Sequence, residues 1–207
     1  MKTQIILAST SPRRIDLMKQ IGLRCTVQSP DADETPRKGE SPARLVARLS
    51  REKALSVARK TKSPKNGNTL IIAADTIVVD PSGKKILGKP RNVSEARKML
   101  KMLAGKTHTV LTGYCVYEIE AHQIYRHHLV RVVRSRVSMR SLTPKQISAY
   151  VATGEPMDKA GSYAAQGMGM GLVEKINGSY ANVVGLPVSQ LLIDLENHFG
   201  VKVLSSP

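Results

Sequence analysis

An α/β fold, with a mixed twisted sheet and flanking helices, is the architecture that this 207-residue sequence predicts. Short apolar runs alternate along the chain with segments that carry helix start signals. Hydrophobic residues make up 41% of the chain and charged residues 23%, which is ordinary for a folded protein and excludes a disordered or fibrous one. Because no repeat or linker interrupts the pattern, we expect one domain over residues 1–207, with two lobes around a central cleft.

The first half of the chain predicts two strands and two helices. Residues 4–8 are a short apolar run typical of a buried strand. Ser11-Pro12 begins a helix, because serine caps helices well and proline suits the first helical position. Ser41-Pro42 repeats this signal and begins a longer helix to about residue 60. Residues 70–79 are the most apolar run and are rich in β-branched residues, which predicts a strand buried on both faces.

The second half is divided by turn and cap residues. Pro-Ser-Gly at 81–83 turns the long strand into a hairpin, and Thr143-Pro144 caps a further helix. Asn177-Gly178 indicates a tight hairpin turn. The predicted elements are a hairpin strand at 86–87, a helix at 94–103, antiparallel strands at 110–119 and 124–139, and helices at 143–153 and 187–200.

The charge balance predicts an anionic partner. Lysine and arginine number 32 and aspartate and glutamate 16, which gives a net charge of +16. A nucleotide, a nucleic acid or an acidic surface would suit this charge. Arg134, Arg136 and Arg140 share one face of a predicted strand, which is either a solvated face or the best candidate for a secondary nucleic-acid contact.

Cysteine content and hydropathy indicate where the protein works. Cys25 and Cys115 are too few for a disulfide framework and lack CxxC spacing, so we expect a reduced, cytoplasmic setting. The apolar start is too short for a signal peptide. No run approaches the roughly 20 apolar residues of a membrane span, so we expect no membrane association.

Two charged residues interrupt apolar patterns. Asp75 lies inside the run at 70–79, where an unpaired carboxylate is unfavourable. It is either a general base or metal ligand, or a capping residue at a bulge or strand end. Lys53 falls within the apolar face of the helix at 41–60 when residues are placed at steps of about 100°. Its ammonium either extends to solvent or meets an anion.

Two loops add candidate binding groups. The turn at Ser9 leads into a helix start that carries Arg13 and Arg14. Free N–H groups, the helix dipole and the guanidinium forks favour a phosphate there, although a solvated basic turn is the alternative. The acidic cluster around Asp33 and Glu34 would suit Mg²⁺ in an enzyme acting on phosphates, and is otherwise solvated.

Nine short motifs are distributed over residues 7–187. They are LASTSPRR at 7–14, DE at 33–34, EKA at 52–54, ADTIV at 74–78, GKP at 88–90, DKAGSY at 158–163, QG at 166–167, INGSY at 176–180 and VGLP at 184–187. In order and spacing they resemble the Maf family of nucleoside triphosphate pyrophosphatases. Each motif is weak alone, whereas nine in order are specific.

The resemblance implies a fold like that of inosine triphosphate pyrophosphatases. It also implies hydrolysis of a nucleoside triphosphate to the monophosphate and pyrophosphate, with a divalent metal, Mg²⁺ or Mn²⁺. Asp75 matches the family's proposed proton acceptor, and Glu34 and Asp75 are the implied metal ligands. Lys53 is a further catalytic position. The implied substrate-binding residues are Ser9, Arg13, Arg14, Thr76, Lys89 and Gln166.

The branch of the family is indicated by three of these positions. Arg13, Thr76 and Gln166 resemble the branch acting on dTTP and UTP, rather than the branch acting on 7-methyl-GTP. A departure is Thr10, where glycine or asparagine is frequent. The alternatives are a non-catalytic, basic nucleic-acid-binding protein and a purine-directed or methylated-nucleotide pyrophosphatase on the same fold. Whether the chain forms a homodimer is left open.

Overall fold

The computed structural model describes residues 3–62, 64–120 and 128–203 and contains both strands and helices. The strands are β1 (Thr3–Ala8), β2 (Thr26–Gln28), β3 (Asn68–Val79), β4 (Ile86–Leu87), β5 (Thr107–Glu120), β6 (His128–Met139) and β7 (Val173–Asn177). The α-helices are α1 (Pro12–Gln20), α2 (Pro42–Ala58), α3 (Val93–Leu103), α4 (Pro144–Ala152), α5 (Tyr180–Val184) and α6 (Val188–Phe199). Short 3₁₀ helices cover Glu155–Asp158, Ala160–Ser162 and Gly167–Leu172.

The sheet is mixed, as the sequence predicts. Its strand order is β2-β1-β3-β5-β6-β7, and β4 pairs with β3. β1 runs parallel to β2 and β3, with Ile6 opposite Thr26 and Ile71. The pairs β3–β4 and β6–β7 are antiparallel, so the hairpin predicted after residues 81–83 is confirmed. The α/β class, with a mixed sheet and flanking helices, is therefore confirmed.

The first of two compact units comprises the described residues within 1–75, 113–132 and 185–207. Its core includes a buried cluster to which β1, β3, β5 and α2 contribute apolar side chains. At Gly113 in β5 the backbone of α2 comes very close: a Cβ there would lie 2.3 Å from the carbonyl oxygen of Val46. Only glycine leaves space for this approach of helix to strand.

The second unit comprises residues 76–112 and the described residues within 133–184. Its core is a buried cluster from β3, β4, β5, β6, α3 and α4, together with Tyr163 and Leu172. His108 is buried there, with its Nε2 2.7 Å from the Tyr163 hydroxyl. Burial lowers the pKa of His108 to about 4, so the imidazole is neutral at pH 7. The single-domain assignment and the central cleft stay predictions.

The predicted helix starts agree with the structure, with one correction. Ser41 caps α2 through its side chain, and Thr143 forms a capping box with Gln146 at the start of α4. Ser11 precedes α1 as predicted, but its side chain makes no capping hydrogen bond. Its backbone N–H donates instead to Ser9 Oγ, at 3.2 Å.

The hairpin predicted at Asn177-Gly178 is wrong. β7 ends at Asn177, and Gly178 turns the chain with a φ of 118°, but a helix follows instead of a second strand. The physical reason is Ser179, whose Oγ accepts a hydrogen bond from the backbone N–H of Asn182, at 3.2 Å. That contact satisfies a donor at the start of α5.

The surface of β6 follows the predicted alternation. Arg134 and Arg136 are exposed, whereas Ser135 and Val137 are buried. The nucleic-acid contact suggested for this face stays a prediction, and residues 124–127 of the predicted strand lie outside the described residues. Among the helices that the structure describes, none has the length and apolar character needed to cross a membrane.

Candidate active site

Lys53 and Asp75 form a buried ion pair between α2 and β3. The Lys53 ammonium donates to Asp75 Oδ1 at 2.7 Å, and each side chain is only 10% exposed. The same Nζ lies 2.6 Å from Glu34 Oε1, in a side chain that is 66% exposed. Of the two interpretations of Lys53, the structure shows an ammonium that meets anions.

The sequence around each residue explains why the pair is buried. Ala73 and Ala74 precede Asp75 in β3 and are fully buried, so the carboxylate is carried into the interior of the unit. Leu49 and Val57 flank Lys53 along the buried face of α2. Burying either charge alone would be strongly unfavourable, and each charge offsets the desolvation of the other.

The turn between β1 and α1 is organised by Ser9. Its buried Oγ accepts hydrogen bonds from the Ser11 backbone N–H at 3.2 Å and from Arg14 Nη1 at 3.3 Å. Arg14 Nε donates to the carbonyl oxygen of Gly185 at 2.8 Å. The Arg14 guanidinium is therefore held at two points.

Electrostatic interactions connect this turn with the ion pair. The pKa of Arg14 lies below its ordinary value, chiefly because of burial. The charge of Asp75 raises this pKa, the neighbouring Arg13 lowers it and Glu34 raises it. Three cations and two carboxylates thus lie in one part of the first unit. Their excess positive charge suits an anionic ligand.

The loop that carries Glu34 is held by Arg48, a residue that the sequence analysis did not single out. Arg48 donates to both carboxylate oxygens of Glu40, at 2.7 and 2.8 Å, and to Glu52 at 2.9 Å. It also donates to the carbonyl oxygen of Thr35 at 3.0 Å. The hydrogen bond from Arg48 lowers the pKa of Glu40 to about 2, so this anchor is charged at neutral pH. No periodic pattern marks such a contact in the sequence.

The remaining candidates lie in the second unit. Thr76 Oγ1 is 2.9 Å from Thr112 Oγ1, and Thr112 donates to the carbonyl oxygen of Asn182 at 2.9 Å. Lys89 is exposed just after β4, and Gln166 is half-buried before the glycine-rich 3₁₀ helix. That these three complete the group in the first unit stays a prediction.

The donor set fits a magnesium-type ion. No cluster of three or more His, Cys, Asp or Glu side chains that could hold a metal occurs among the described residues. Glu34 and Asp75 nevertheless converge on one cationic position, now held by the Lys53 ammonium. Mg²⁺ in phosphate enzymes commonly takes one or two carboxylates and completes its shell with phosphate oxygens and water. Two carboxylates are therefore enough protein ligands for an ion of this type.

Known proteins are similar to this chain over nearly its whole length. A family model described as "Maf-like protein" matches residues 4–198. The dTTP/UTP pyrophosphatase of Dictyoglomus thermophilum is 45% identical over 206 residues, which is 99% of this chain and 100% of the relative. The dTTP/UTP pyrophosphatase of Geobacter sulfurreducens is 44% identical over 194 residues, or 94% and 96% of the two chains.

Among solved structures, the similarity is more remote. The Ham1 protein of Staphylococcus aureus has 16% sequence identity and a TM-score of 0.38, over 66% of this chain and 72% of that one. A dITP/XTP pyrophosphatase from Mycobacterium abscessus has 12% identity and a TM-score of 0.28. Both TM-scores are too low to support an argument about this chain.

Proposed function

This chain belongs to the Maf family, and from that premise we propose that it hydrolyses dTTP and UTP to the nucleoside monophosphate and pyrophosphate. One observation carries the proposal: a buried aspartate whose charge is balanced by Lys53, beside Glu34 and the arginine pair. A nucleotide's triphosphate is the kind of ligand that this excess of cations would hold.

Asp75 acts as the general base in the proposed reaction. Lys53 contacts its Oδ1, and within the described part of the chain no hydrogen bond to Oδ2 is seen. Oδ2 can therefore orient a water molecule and accept its proton. The water oxygen forms a bond to the α-phosphorus, the bond from that phosphorus to the bridging oxygen breaks, and pyrophosphate leaves.

The basic residues stabilise the charge that develops on the phosphates. Arg13, Arg14 and Lys53 would contact the phosphate oxygens, and Lys89 is proposed as a further phosphate-binding residue. In phosphoryl transfer, positioning and electrostatic stabilisation supply most of the acceleration. Ser9 orients the Arg14 guanidinium, through the hydrogen bond at 3.3 Å, instead of reacting itself.

A divalent metal, Mg²⁺ or Mn²⁺, is part of the proposal. Glu34 and Asp75 would hold it, since the Lys53 ammonium brings these two carboxylates together. When bound, it neutralises phosphate charge and favours the departure of pyrophosphate. Lys53 then keeps the two carboxylates in place and limits their mutual repulsion.

The pyrimidine is proposed to contact Thr76 and Gln166. An amide offers both a donor and an acceptor, which matches the paired donor and acceptor on the edge of uracil or thymine. The proposed setting is the cytoplasm, because Cys25 and Cys115 are both free thiols, as a reducing compartment would leave them.

The test is pyrophosphate release from dTTP, UTP, CTP, GTP and 7-methyl-GTP, with and without Mg²⁺. We expect dTTP and UTP to be preferred. Asp75→Asn should lower kcat by about 10²-fold or more, the usual range for loss of a general base. Glu196→Gln, at an exposed position on α6, is the matched control and should have wild-type activity. An Asp75→Asn variant with near-wild-type kcat would overturn the mechanism, and a preference for GTP or 7-methyl-GTP would overturn the substrate assignment.

A further inference from the structure

Glu155, which has no role in the mechanism above, organises the glycine-rich segment after Gln166. Its Oε1 accepts a hydrogen bond from the backbone N–H of Met168 at 3.1 Å. Its Oε2 accepts one from the backbone N–H of Gly169 at 2.9 Å. These donors lie in the first turn of the 3₁₀ helix Gly167–Leu172, where backbone N–H groups have no partner within the helix.

The chain before Gln166 is held by Tyr150. The Tyr150 hydroxyl accepts a hydrogen bond from the backbone N–H of Ala164 at 3.1 Å. Burial, followed by the nearby Glu155 carboxylate, raises the pKa of Tyr150, so its hydroxyl is protonated at neutral pH. Tyr150 therefore holds the backbone at Ala164, two residues before Gln166, and Glu155 holds it at Met168, two residues after Gln166.

Gly167 shows how closely the carboxylate approaches. Its φ is 61°, and a Cβ at this position would lie 2.2 Å from Glu155 Oε1. A larger residue would displace the carboxylate. The glycine at position 167 therefore serves close contact with Glu155.

The side chain of Gln166 itself is left available. It does not cap the 3₁₀ helix that follows. Within the described residues, its amide makes no hydrogen bond. The segment thus combines a held backbone with an unused amide, an arrangement suited to recognising a ligand.

We propose that Glu155 is a positioning residue for base recognition, which holds the backbone that follows Gln166 and so presents the Gln166 amide to the pyrimidine of the substrate. The inference rests on the proposed function, which assigns the base contact to Gln166. A contact made equally in the ground state and the transition state affects KM and leaves kcat unchanged. Loss of Glu155 should therefore raise KM.

The experiment measures kcat and KM for UTP and CTP in the wild type, Glu155→Ala, Glu155→Gln, Gln166→Ala and the double variant Glu155→Ala/Gln166→Ala. In Glu155→Ala, KM for UTP should rise roughly tenfold, as for the loss of one or two hydrogen bonds, with kcat within about threefold. The preference for UTP over CTP should fall similarly. Glu155→Gln should be intermediate, because its amide oxygen replaces one of two acceptors. Glu174→Gln, at an exposed carboxylate in β7, is the matched control.

Two further readouts separate positioning from a general loss of structure. If Glu155 acts through Gln166, the double variant should be no worse than Gln166→Ala alone. Hydrogen exchange at the Met168 and Gly169 amides should accelerate in Glu155→Ala, while exchange in the core strands stays unchanged.

Failure of the positioning role and failure of the proposed function give different results. An unchanged KM in an active Glu155→Ala enzyme, or additive effects in the double variant, overturns the positioning role alone. A wild type that releases no pyrophosphate from UTP or dTTP overturns the proposed function together with this role.

Discussion

Removing the Lys53 ammonium should destabilise the protein far more than removing an exposed cation. In Lys53→Met the apolar stem is largely retained, but Asp75 loses the partner at 2.7 Å while its side chain is only 10% exposed. Breaking a buried pair by removing one partner typically costs about 3–5 kcal/mol. Because the Arg14 charge still acts on Asp75 and Glu34 is mostly exposed, we expect the lower end, about 3 kcal/mol.

The assay is urea unfolding at pH 7, followed by circular dichroism. With a slope of about 2 kcal/mol per molar urea, the midpoint should fall by roughly 1.5 M. Arg37→Gln is the matched control from the same unit, since the Arg37 side chain is 67% exposed and its pair with Glu52 should contribute less than about 1 kcal/mol. The double variant Lys53→Met/Asp75→Leu should recover most of the loss, because it leaves no unpaired charge. If Lys53→Met were as stable to urea as Arg37→Gln, the reasoning would be refuted.

Three further outcomes are expected. Gly113→Ala should lower the unfolding free energy by about 3 kcal/mol or more, because its Cβ would lie 2.3 Å from Val46 O, whereas Gly171→Ala meets no atom within 4 Å and should be nearly neutral in the same urea assay. His108 binds its proton less readily when folded, so its contribution of about 3 kcal/mol is present above pH 6.5 and is lost as pH falls towards 4; His108→Phe should flatten this part of a stability–pH profile, and an unchanged slope would contradict the pKa. Chelation by EDTA should abolish pyrophosphate release and Mg²⁺ should restore it, whereas full activity in EDTA would remove the metal from the mechanism.

The sequence predicts residues that break a pattern better than it predicts their partners. Asp75 and Lys53 are visible because each interrupts an apolar periodicity, and the caps at Ser41 and Thr143 are visible because capping depends on neighbouring residues. That Lys53 contacts Asp75, 22 residues away, depends on how α2 lies against β3, which no local pattern encodes.

Contacts to backbone groups were beyond sequence reasoning. The Gly185 carbonyl that holds Arg14 is 171 residues away along the chain, and every residue has such a carbonyl. Glu155 begins a 3₁₀ helix of four residues, which is too short for a carboxylate to interrupt any periodicity. β2 has three residues, all exposed, and therefore lacks the alternation of apolar and polar residues that marks a strand.

The lack of a side chain at Gly113 also affects where a charged group of the candidate site lies. It sets the interlayer distance between α2 and the strands beneath it, and two turns after Val46 the same helix carries Lys53. A lysine side chain has a limited length, so the distance between α2 and the strands decides whether the Lys53 ammonium can contact Asp75. A hydrogen atom in place of a methyl group, on a strand that supplies no reacting atom, thereby governs the alignment of the charges on which the proposed hydrolysis depends.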